Sequence, residues 1–318
     1  MSGSQHHLLV LNAAEGGIQL VLARLEPEKK DPLPQETQPP ATIAAFKPVL
    51  LCSQWWSAPS QGAELLTPAL ENVLNCLGLA PRHISHIACV RGPGGFTGIR
   101  LALVSASGLA NATGAIMGAV DYLPLLADQA AELTGYARPQ AEDASFKKPS
   151  FWVVTHARRN LVHMQGFAPA CEGGPFPRAL TDILVLPPEQ AVEVINAHHG
   201  ATAAPAATSG PPLEPSVPPV EIPIPPVLLG SGLLRNKTAW SDLAPRLPEG
   251  TRLLPEPYNA PQPPALLRHA LAASYSSREL EPLYVRPSDA EENLEHISSL
   301  LHIDPKAARK RLDALTRS

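Results

Sequence analysis

A duplicated α/β fold of two lobes, interrupted by proline-rich insertions, is predicted by three features of this 318-residue chain. An apolar strand–turn–strand pattern occurs twice, as "LLVLNAAEGGIQLVLAR" and as "FWVVTHARRNLVHMQGF". Each copy is followed by alternating strand and helix signals. Of the 37 prolines, six lie in 27–48 and nine in 199–226, and setting those two stretches aside leaves a regular pattern.

Taken in order, Leu8–Asn12 and Ile18–Arg24 read as strands around a Gly16-Gly17 turn, with a third strand near Pro48–Trp55. A helix follows over Gln61–Leu77, then strand His86–Val90. The turn Gly92-Pro93-Gly94-Gly95 leads to a helix over Phe96–Thr113. Strand Ala115–Val120 and a helix opening at Asp121, in the place of an N-cap, complete the first lobe. The second lobe repeats the hairpin at Phe151–Phe167. Helical "AVEVINAHH", strand "VLLGSG" and helical "PPALLRHALAASYS" come after it. The expected divisions are a first lobe at 1–134 with an insertion at 27–48, a second lobe at 150–292 with a linker at 199–226, and an extension at 293–318. Proline lacks an amide donor and fixes φ, which keeps both insertions out of sheet centres and helix interiors.

Composition excludes several functions. A hydrophobic content of 44% supports a core, while a net charge of −4 and a pI near 6.3 argue against gripping nucleic acid unaided. Cys52, Cys76, Cys89 and Cys171 form no CxxC pair and no secretory leader is read, so a reducing cytoplasm is expected. No apolar run approaches the ~18 residues of a membrane helix. His83 and His86 precede a strand and are expected as exposed loop histidines, with His6-His7 and His198-His199 in flexible contexts.

The glycine turn admits three readings. A P-loop requires a lysine that Gly92–Thr97 does not supply. A dinucleotide fingerprint fits Gly92 and Gly94 but meets Thr97 at its third glycine. The third reading is a crowded turn leading into a close-packing helix, rich in Ala102, Ser105, Ala106, Gly108 and Ala110.

The stretch "RGPGGFTGIRLAL…GLA", together with "GAIMGAVDYLPLLA" and "EPLYVRPSDA", resembles the bacterial TsaB (YeaZ) family. The resemblance implies an actin/Hsp70/sugar-kinase-like (ribonuclease H-like) fold. It also implies a non-catalytic role in forming N6-threonylcarbamoyladenosine at tRNA position 37, where TsaB supports the transferase TsaD and the ATPase TsaE joins them. Partner contact is then expected at Gly92, Pro93, Gly94, Gly95, Phe96, Thr97, Gly98, Arg100 and Ala106, with a second copy of the chain as an alternative partner and tRNA met only through the complex.

In that superfamily, two hairpins carry aspartates that hold Mg²⁺ and nucleotide phosphate. This chain has Asn12 and His156 in those places, followed later by the glycine turn Gly230-Ser231-Gly232. Hard cations need oxygen ligands. The expectation is therefore a degenerate nucleotide site with weak or absent ATP or ADP binding and no metal. An active nucleotide-dependent transferase or kinase is the alternative, and it needs the missing carboxylates. The basic tail "DPKAARKRLDALTRS" is expected as a solvated helix end.

Overall fold

The first hairpin forms because two apolar runs flank a glycine turn: β1 (His6–Asn12) pairs antiparallel with β2 (Ile18–Pro27). In this computed structural model the described residues are 6–27, 42–57, 62–136, 149–158, 160–171, 174–203, 224–285 and 304. Contacts divide the chain into units 1–283 and 284–318. The account below concerns the first; in the second, Tyr284 and Asp304 are exposed. The expected tail helix lies outside the described residues.

After β2 come β3 (Phe46–Trp56), α1 (Gly62–Cys76), β4 (Ile84–Val90), α2 (Phe96–Thr113), β5 (Ile116–Val120) and α3 (Tyr122–Thr134). The second repeat comprises β6 (Phe151–Arg158), β7 (Leu161–Ala168), β8 (Arg178–Ala179), β9 (Leu184–Leu186) and α4 (Pro188–Ala203). It continues with β10 (Val227–Leu229), α5 (Ser231–Arg235), α6 (Lys237–Leu243), β11 (Arg252–Leu253), α7 (Pro263–Ala272) and β12 (Tyr275–Ser276). The first sheet runs β12-β5-β4-β1-β2-β3 and the second β11-β10-β6-β7-β8, with β9 also on β7.

The duplication is explicit in the pairing. In each lobe the first hairpin strand lies antiparallel to the second and parallel to a later strand, β1 to β4 and β6 to β10. A further parallel strand extends each sheet, β5 in one and β11 in the other. This is a two-lobe α/β fold with the same pairing pattern in both sheets.

Both faces of these sheets are covered, which is why Leu8–Leu11 and Phe151–Val154 are unbroken apolar runs. Alternation then assigns each residue a side: Phe151 and Val153 join the main core, while Trp152 and Val154 face a smaller cluster with Ala191, Ile195 and Trp240 from α4 and α6. Helix α3 is buried nearly all round, through Leu123, Leu125, Leu126, Ala127, Ala130 and Ala131. A helix apolar on every side has no solvent face. It packs against β6 and β10 as well as α7, so the two lobes share one core.

Several expectations need correction. The segment 263–276, expected as one helix of the second lobe, is helix α7 followed by strand β12, and both join the first lobe: α7 packs on α3, β1, β3 and β5, and Tyr275 pairs with Gly118 on the first sheet. The first insertion is shorter than 27–48: Thr42 bridges Ser274, Ile43 is buried and β3 begins at Phe46. Residues 28–41 lie outside the description. Helix α4 runs to Ala203, past the expected start of the linker at 199. His6 and His7 begin β1, and His7 is buried. His86 is fully buried in β4, edge-on to Tyr275 at 5.0 Å, rather than exposed in a loop. His83 accepts the Ala80 N–H on Nδ1 at 3.0 Å. His198 sits in α4 with its ring 5.3 Å from that of Trp152.

Candidate functional site

The glycine turn is built to lie on the first hairpin. Gly95 N–H donates to Ala14 O at 2.6 Å. A Cβ on Gly94 would run into Ala14 O, and one on Gly98 into Ala13 O, so the helix start approaches the hairpin backbone as only glycine permits. Gly92 and Pro93 are buried beneath. Asp121 stands in the N-cap position of α3, but its side chain makes no cap bond. Its carboxylate instead takes Arg91 Nε at 2.6 Å, tying the end of β4 to the end of β5. That bond is the leading cause that raises the Arg91 pKa.

This sorts the expected partner residues. Gly92, Pro93, Gly94 and Gly98 serve contacts within the chain, while Gly95, Phe96, Thr97 and Arg100 are exposed. Ala106 is a correction: it is fully buried on the inner face of α2 with Ile99, Ala102, Leu103 and Ala110, and no partner can touch it.

The outer face of α2 has a different composition. Thr97, Arg100, Val104, Gly108 and Asn111 follow one another at three- and four-residue steps, which places them on one stripe. Val104 is 71% exposed and Phe96 44% exposed. The Arg100 guanidinium lies 3.8 Å from the Phe96 ring centroid, so the two present one flat surface. A Cβ on Gly108 would meet nothing within 4 Å. Among the described residues, nothing requires glycine there.

A second candidate lies where the hairpins of the two lobes meet. Asn12 is engaged locally: Oδ1 accepts Ala14 N–H at 3.0 Å and Nδ2 donates to Gln19 at 3.2 Å. Gly230 has φ +123 with the Val154 carbonyl where a Cβ would stand, and its N–H donates to Asn259 Oδ1 at 2.7 Å. Gly232 is buried against Thr155. His156 turns its backbone N–H inward, while its Nδ1 is buried with no hydrogen-bond partner in the described structure. Burial, with Arg235 second, holds the His156 pKa below its usual value.

Sequence reasoning passed over the residue at the centre of this cleft, Glu15. Part of the residue reaches the surface, but its carboxyl group turns into the second lobe. Oε1 accepts the Ser231 hydroxyl at 2.5 Å and the His156 N–H at 3.0 Å, and Oε2 faces the Tyr122 hydroxyl at 3.4 Å. Burial pushes its pKa up to about 7, against the pull of Ser231, His156, Arg235 and Tyr122. The available signal was a lone acidic residue in the otherwise uncharged "NAAEGG" turn.

Other chemistry is sparse. Cys89 is a core thiol whose pKa burial pushes up to about 12. Among the described residues, no group of three or more His, Cys, Asp or Glu is placed to hold a metal ion, and no helix is long and apolar enough to cross a membrane.

The fold is a two-lobe α/β architecture similar to that of YeaZ. The family model for TsaD, tRNA N6-adenosine threonylcarbamoyltransferase, matches residues 58–165, about a third of the chain. YeaZ from Pseudomonas aeruginosa superposes with a TM-score of 0.52 at 20% identity, covering 88% of this chain and 100% of the other. An uncharacterized protein from the same organism, described as similar to peptidase YeaZ, gives 0.52 at 21% identity with the same coverage. Comparison by sequence with curated proteins gives no match. The chain therefore shares the YeaZ fold and carries a segment similar to the TsaD family.

Proposed function

We propose that this chain is a non-catalytic, TsaB-type subunit of the assembly that forms N6-threonylcarbamoyladenosine at tRNA position 37, and that it docks a TsaD-type partner through the outer face of α2. The observation that carries this reading is the stripe around Val104, where an apolar side chain 71% exposed stands next to Gly108, whose added Cβ would meet none of the described residues, with exposed Phe96 at the same helix's start. A TsaE-type ATPase joins the pair, tRNA is met only through the complex, and the work is done in the cytoplasm.

Co-purification with the TsaD-type protein of the same cell, followed by mass measurement with and without that partner, tests the reading. A mixed species is expected; a self-associated chain indifferent to the partner would sink it. Gly108→Ala separates folding from docking. Alanine is favoured over glycine in a helix by ~1 kcal/mol, so the isolated variant gains stability, while its added methyl holds the partner helix away and weakens the complex.

The cleft supports the absence of nucleotide chemistry. Asn12 spends its amide inside the hairpin, and a phosphate entering beside His156 and Ser231 meets the Glu15 carboxyl already there. Mg²⁺ and a nucleotide phosphate do not fit this set. Calorimetric titration of the wild-type chain with ATP·Mg²⁺ is expected to show no micromolar binding, and heat at that affinity would reverse this part of the reading.

A further inference from the structure

Hydrogen-bond donors from both lobes surround the Glu15 carboxyl group. Two groups of the second lobe converge on Oε1: the Ser231 hydroxyl on α5 donates to it, and the His156 N–H on β6 is shared between Oε1 and Ser231 Oγ, at 3.0 Å from each. The Tyr122 hydroxyl of α3 approaches the other oxygen from the first lobe. Arg235 adds a positive charge beside the turn: its Nη2 lies 3.2 Å from where a Cβ on Gly16 would stand. Donors fixed by one strand and two helices, with a cation at the rim, match the shape of a small oxyanion.

We propose that the cleft between the lobes is an oxyanion site that the chain fills with its own Glu15 side chain. The carboxyl group occupies the place of a carboxylate or phosphate ligand, and in doing so it links the first-lobe hairpin to β6 and α5. Filling the site from within closes the cleft to phosphoryl groups from solution. Removing the side chain leaves the donors and Arg235 in position. Water then enters the vacated space and relieves the desolvation that opposes a charge there, so an exogenous oxyanion binds.

This inference rests on the reading that the wild-type cleft takes no nucleotide, and it is independent of docking through α2. The test compares thermal midpoints of the full-length wild type, Glu15→Ala and Glu15→Gln in sodium acetate, sodium phosphate and sodium chloride of equal ionic strength. Acetate replaces the missing carboxyl atoms, and phosphate reports the phosphoryl-sized alternative. Glu15→Ala is expected to gain a saturable midpoint increase of several degrees in at least one of the two oxyanions over chloride. Wild type and Glu15→Gln, whose cleft stays filled, gain none. If Glu15→Ala does not fold in chloride, the yield of refolded protein in each salt is the same readout. Equal behaviour of Glu15→Ala in all three salts, or an oxyanion response as large in wild type, overturns the proposal. Nucleotide binding by the wild-type chain would instead remove the reading beneath it.

Discussion

Glu in place of Val104 is expected to weaken the complex with the TsaD-type partner by at least ~30-fold while leaving the thermal midpoint of the isolated chain within about a degree. Val104 is 71% exposed and lies at the middle of the stripe that runs from Thr97 to Asn111. A carboxylate there stays hydrated in the free chain, so folding does not register it. In the complex it has to be buried against a partner surface with no cation assigned to it. Losses at the centre of an interface are ~2 kcal/mol or more, and ~1.4 kcal/mol is tenfold in affinity. Binding isotherms with purified partner read the change. Unaltered affinity would place the interface elsewhere on the molecule.

The neighbouring position gives the opposite result and guards the interpretation. Ala106 looks like an interface residue in a small-residue helix, yet it is fully buried in the main core. Ala106→Trp forces an indole into that core, and overpacking by even a few methylenes costs ~1–3 kcal/mol. Loss of co-purification with this variant therefore reports a damaged fold. Only substitutions on the outer stripe report docking.

That pair of residues shows what the sequence can and cannot disclose. The duplicated hairpins and their parallel crossover strands were legible because period, turn residues and apolar runs are local signals. The helix bounds at Phe96–Thr113 follow from the same kind of signal. Which side of α2 faces the core was not legible, since alanine, serine and glycine are small on every side and carry no amphipathic contrast. Glu15 was missed for a different reason. Its acceptors and donors come from positions such as His156 and Ser231, far away in the chain, and only the meeting of the two lobes brings them to one carboxyl group. The return of α7 and β12 to the first sheet is equally long-range. Asp121 satisfies the local grammar of an N-cap, but the Arg91 side chain is a stronger partner than a backbone amide.

Glu15→Gln is expected to remove a fall in stability that the wild type undergoes as pH rises from about 5 to 8. The carboxyl titrates at 4.5 when unperturbed and at about 7 in the folded chain. Between those values the folded chain holds a proton that the unfolded chain has released, so rising pH favours unfolding. The stabilisation is whole below pH 4.5 and is lost through pH 7. At ~1.36 kcal/mol per pH unit, the difference amounts to about 3 kcal/mol. His156 works in the other direction: with its pKa held low, the unfolded chain takes up a proton first, and stability rises with pH through that range. A single wild-type curve mixes the two effects, which makes the comparison with glutamine necessary. Glutamine fits the cleft, because its oxygen accepts from the Ser231 hydroxyl and the His156 N–H while its amide donates to a rotated Tyr122 hydroxyl. Chemical denaturation of both chains across the pH range gives the readout. The stability of Glu15→Gln relative to wild type should climb with pH and level off above 7. Two curves that run parallel would mean that Glu15 is ionised throughout, and that the donors around it outweigh the cost of burying its charge.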